Sequence, residues 1–116
     1  NIPYSYSPVI AINEDDFGMD KTLYRNFIKA TKKGFLQAQE NPAEAAAILG
    51  KYIPEYDRDI DLEKSIRYSA DFMGDDKNWG KMRIDKVNEF LDWIHDNHLE
   101  EQRFSADEIV TNELLD

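Results

Sequence analysis

Two histidines, His95 and His98, stand three residues apart, and Asp92 precedes His95 by three. On a helix this spacing places all three on one flank. Metal-binding bundles use an acidic residue three before a histidine, but they need a second such motif and further carboxylates. Only one is present, at a helix end, where imidazole also complements the negative end of the helix dipole. No metal site is therefore expected. Two acidic clusters, Glu14-Asp-Asp16 and Asp75-Asp76, invite comparison with calcium loops. The calcium template needs oxygen ligands at alternate positions, then Gly, then Glu at position twelve. Counted from Asn13, its fifth position is Phe17 and its twelfth is Tyr24; the run from Asp75 places Lys77 third and Trp79 fifth. Both read as solvated loop charge.

No nucleophile is set up for catalysis. The chain has no cysteine, which excludes disulfides, thiolate zinc and thiol chemistry, and it lacks Gly-x-Ser-x-Gly and any Gly-rich phosphate loop. No catalytic residue, enzyme activity or cofactor is expected. The aromatic residues carry more. Tyr4 and Tyr6 flank a proline-bounded extended segment, so both rings project to one side. They can stack on a planar heterocycle or pack as core residues. Trp79, in the loop Gly74 to Gly80, has the same two roles open to it. Tyr4, Tyr6 and Trp79 are the candidate ligand-binding residues.

Bulk composition limits the partners. The 116 residues hold at most one domain, and 41% apolar with 12% aromatic residues support a folded chain. The net charge of −10 argues against nucleic acid, whose phosphates need a basic footprint, and against an anionic membrane surface. No apolar run approaches the roughly 20 residues that span a bilayer. No export signal is expected within these residues; the first is Asn1, which reads as a processed or truncated start.

The elements that position these residues are mostly helices. Val9 to Ile12 is a continuous apolar run and reads as one short buried strand. Asn13 to Asp20 reads as an acidic loop. A first long helix is expected from Lys21 to Gln39 with Asp20 as its cap. Its apolar rows Leu23, Phe27, Ala30, Gly34, Ala38 and Tyr24, Ile28, Thr31, Phe35 make a broad face. Gly34 costs about 1 kcal/mol relative to Ala in mid-helix, which predicts close approach of a neighbouring element there. Asn41 caps a second helix, with Pro42 first, Glu44 third and an end near Gly50. Further helices are expected over Asp61–Met73 and Ile84–Asn97, and Ser105-Ala-Asp-Glu108 is a capping box opening a short last one. The fold class is mainly α, four to five helices plus one strand. A lone strand cannot satisfy its own backbone groups, so it is expected either to belong to a larger α/β protein or to pair with another copy through its exposed edge.

The order of these motifs resembles one family. Phe27, Ala30 and Gly34, followed by Asn41, Pro42, Ala45 and Ala46, resemble a segment of ABC-importer solute-binding proteins related to thiamine pyrimidine precursor binding. Pro8 to Ile12 resembles their return strand, Trp79-Gly80 with Phe90, Trp93 and Ile94 their penultimate helix region, and Phe104 to Leu115 their ending. The resemblance implies a type II periplasmic-binding-protein fold, a two-lobed α/β clamshell. This chain would be its C-terminal portion, with 1–19 as hinge-side segment and return strand and 20–116 as terminal helices of a single partial domain. It further implies extracytoplasmic location, a small-molecule solute such as a thiamine pyrimidine precursor, and an ABC permease partner. Riboflavin-, nitrate- and sulfonate-binding relatives share the scaffold, and a freestanding acidic helical interaction module is the alternative. One branch of the family synthesises the pyrimidine using histidine and a cysteine-rich motif; with no cysteine here, and neither His95 nor His98 in a matching context, that activity is not implied.

Overall fold

The computed structural model describes residues 1–3, 6, 8–54 and 59–115, and these form two compact units: Asn1–Arg25 with Lys81–Asp116, and Asn26–Gly80. Among the described residues six helices follow one another: α1 Glu14–Phe17, α2 Lys21–Glu40, α3 Pro42–Leu49, α4 Leu62–Ala70, α5 Ile84–Asp96 and α6 Ala106–Ile109.

The mainly helical expectation holds, but the strand and the α/β assignment built on it are corrected: among the described residues there is no strand or sheet. Val9, Ile10 and Ile12 belong to no regular element and are exposed. The reason is physical. An apolar run reports a tendency to burial, whereas a strand needs a second backbone to accept and donate its hydrogen bonds, and no described segment supplies one. The dimer expected through that strand has no edge to form on. The acidic loop also differs: Asn13 Oδ1 accepts the Asp15 N–H at 2.9 Å, and three acidic residues in the first turn complement the dipole of α1.

The first unit is built on α5. Its inward positions are Val87 and Leu91, buried at 4% and 6% exposure, against Ala106 of α6, with Ile94, Phe104 and Val110 packed around them. Asn88 Oδ1 accepts the Ala106 N–H at 2.7 Å, fixing α6 to α5. The Glu108 carboxylate accepts the backbone N–H and the hydroxyl of Ser105 at 2.7 and 2.9 Å, closing the expected capping box. The amide of Asn112 pairs both ways with the backbone of Met82, at 2.8 and 2.9 Å, holding the chain end to the entrance of α5. Lys21 meets Glu113 at 3.2 Å.

In the second unit α3 packs on α4, and Pro42 is buried at the first position of α3. Asn41 occupies the cap position, but its side chain makes no capping hydrogen bond. Asp61 caps α4 by accepting the Lys64 N–H at 2.9 Å. The helix ends at Ala70 rather than Met73, because Phe72 and Met73 bond back three residues to Ser69 and Ala70 and tighten the last turn. Gln39 at the end of α2 donates to the carbonyls of Ala70 and Gly74 at 3.3 and 2.8 Å, tying α2 to the loop that follows α4. Pro42, Val87, Leu91 and Ala106 are the buried side chains among the described residues. No helix among them is long and apolar enough to cross a membrane.

Candidate functional site

In the first unit, Tyr6 and Val9 lie with Met82, Val87, Phe90, Leu91, Ile109 and Val110 around a mainly apolar hollow of about 180 Å³. Tyr6 as a residue is 39% exposed. Its hydroxyl accepts the Arg83 N–H at 2.8 Å, at the residue that caps α5. That N–H is one of the donors left unpaired at every helix start, so Tyr6 serves α5 and presents its ring to the hollow at the same time. The Arg83 guanidinium is held by Asp85 at 2.5 and 3.2 Å. Arg83, through its hydrogen bond, is the chief reason the Asp85 carboxyl sits below its usual range. Tyr4 lies outside the described residues.

Trp79 belongs to the second unit, where it is half-buried with its ring centroid 5.4 Å from that of Phe35, at 44°. The turn before it sets this contact. Asp75 Oδ1 accepts the N–H groups of Lys77 and Asn78 at 2.8 and 3.0 Å, and Asn78 Oδ1 accepts the Asp75 N–H at 2.8 Å. Gly74, at φ +79°, is required: a side chain there would be strained and would run into the Asn78 amide. Asp75 is thus a turn-former, and Asp76 pairs with Lys32 at 3.0 Å. Tyr6 and Trp79 therefore each have a contact within their own unit.

Asp92, His95 and His98 do different work. Arg103 donates to Asp92 and, at 2.7 Å, to Asp96, with His95 Nδ1 3.3 Å from its guanidinium. A guanidinium among these side chains occupies the space that a cation would need. Among the described residues no three His, Cys, Asp or Glu side chains converge as metal ligands. His98 adopts φ +58°, the left-handed conformation. Its N–H bonds to the His95 carbonyl at 3.0 Å, and Leu99 N–H to the Ile94 carbonyl at 2.9 Å. This is the Schellman pattern that ends a helix, with histidine at a position where glycine is usual.

Sequence spacing gives no sign of the Asn112–Met82 pairing or of the Tyr6–Arg83 bond, since both join residues distant in the chain. Comparison with protein-family models, with curated proteins and with solved structures finds no match to this chain.

Proposed function

We propose that this chain is a helical part of the solute-binding component of an ABC importer, working outside the cytoplasmic membrane with a permease partner and capturing a thiamine pyrimidine precursor or a similar planar heterocycle by closure around it. Two things support the reading: the order of motifs from Phe27 to Leu115 described above, and one structural observation, the uncovered apolar face of α2. Leu23 and Phe27 are each 58% exposed, and a Cβ placed on Gly34 meets nothing within 4 Å. A mid-helix glycine and large apolar side chains on one face are costly in water. They are accounted for when further polypeptide of the same protein covers them. The hollow beside Tyr6, at about 180 Å³, is below the roughly 300 Å³ at which ligand pockets begin, so the solute site requires walls from that same additional polypeptide. Tyr6 and Trp79 remain the residues assigned to the ligand side.

Titration calorimetry tests this on the product of the complete reading frame, with a panel of pyrimidines and riboflavin. Saturable binding of one planar heterocycle is the expected result. Binding of nitrate or a sulfonate with no heterocycle bound would remove the ligand assignment. A second reading, a freestanding acidic interaction module, is favoured by the pair of Tyr68 on α4 and Phe72 in the turn after it, whose rings lie 5.6 Å apart and largely exposed. It predicts no small-molecule binding at all.

A further inference from the structure

Charge is unevenly spread along this acidic chain. Helix α2 carries five of the 14 basic side chains (Lys21, Arg25, Lys29, Lys32 and Lys33) and one of the 24 acidic ones, Glu40. Within the second unit, a groove of about 680 Å³ follows this helix, lined by Asn26, Lys29, Lys32, Lys33, Gln37 and Asn41 among others. Lys32 is held in place: its ammonium pairs with the Asp76 carboxylate at 3.0 Å and also donates to the Asp76 carbonyl. Lys29 and Lys33, one turn apart, are exposed and have no ion-pair partner among the described residues. From Asn26 to Glu40 the helix runs about 21 Å at 1.5 Å per residue, the length of about six residues of extended chain.

We propose that this groove is a docking site for an acidic polypeptide segment. Charge complementarity selects the occupant: the ammonium groups of Lys29 and Lys33, unpaired among the described residues, line it, and the amides of Asn26, Gln37 and Asn41 add hydrogen-bonding groups that suit a peptide backbone as well as carboxylates. A nucleic acid fits the groove less well. Among the described residues no aromatic side chain lines it for base stacking. The groove is far longer than one small anion needs. This site is independent of any solute, and it stands or falls separately from the importer reading.

The test is fluorescence anisotropy of the protein with a dye-labelled octaglutamate at low and moderate salt. Saturable binding is expected that weakens as salt rises, because exposed charge pairs are screened. The double variant Lys29→Glu/Lys33→Glu is expected to weaken binding tenfold or more. Lys64→Glu/Lys81→Glu, with the same net charge change outside the groove, is expected to stay within twofold of the unaltered protein. Should circular dichroism show that charge reversal disturbs the helix, Lys29→Ala/Lys33→Ala replaces it, with a loss of at least threefold expected. Absence of binding, equal losses in the groove and control variants, or tighter binding of oligothymidylate than of octaglutamate would each overturn the proposal.

Discussion

His98 and Glu108 show how single side chains shape the first unit. An L-residue in the left-handed region costs roughly 1–2 kcal/mol relative to its preferred conformations, and glycine escapes most of that. His98→Gly is accordingly expected to stabilise the protein by about 1 kcal/mol in urea denaturation, a change that a ligating role for the imidazole would not produce. Glu108 is held below its usual value of 4.5, first by the Ser105 backbone N–H and then by the Ser105 hydroxyl. A carboxyl whose pKa is lowered by folding stabilises the fold above its unfolded value. That gain disappears as pH falls below about 4.5 through the lowered value. Acidification from pH 7 to pH 3 should therefore lower the melting temperature of Glu108→Gln less than that of the unaltered protein. Ser105→Ala removes the other half of the box and is expected to cost about 1 kcal/mol.

At the scale of elements, local chemistry is legible in the sequence and long-range pairing is not. Asp20, Asp61 and Ser105 can be read as caps because the donors they meet lie three residues ahead. Helix α5 is readable because Ile84, Val87, Leu91 and Ile94 repeat at three and four, and Val87 and Leu91 do turn inward. The run Val9 to Ile12 misleads, since its apolarity carries no information about a backbone partner. Gly34 misleads in a related way. A glycine in a helix predicts close approach, yet open space surrounds it here. The two observations meet if the approaching element lies in further polypeptide. Gly34→Ala is then expected to stabilise this chain on its own by up to about 1 kcal/mol, as helix propensity alone dictates. Gly34→Leu should leave the isolated chain folded by circular dichroism while destabilising the complete protein, because only there would the side chain meet a neighbour. Equal effects of Gly34→Leu in both contexts would contradict a covered face.

The molecule as a whole has little interior to spend. Val87, Leu91 and Ala106 make the buried apolar centre of the first unit, and Pro42 is the buried residue of the second among those described. Truncating Leu91 to Ala removes a large part of so small a core and is expected to cost about 3 kcal/mol, enough to shift the thermal transition by many degrees. Exposed large apolar side chains, by contrast, are spread over α2, α3, α4 and the turn after α4, among them Leu23, Phe27, Ile48, Tyr68 and Phe72. Patches of that kind on a folded protein mark surfaces that another surface covers. The central claim is that the α2 face belongs under such a cover within a larger solute-binding protein. Hydroxyl-radical footprinting of Leu23 and Phe27, with this chain alone and with the product of the complete reading frame, tests it most directly. Several-fold slower oxidation of both residues in the complete product is the expected result, and equal rates in the two would contradict it.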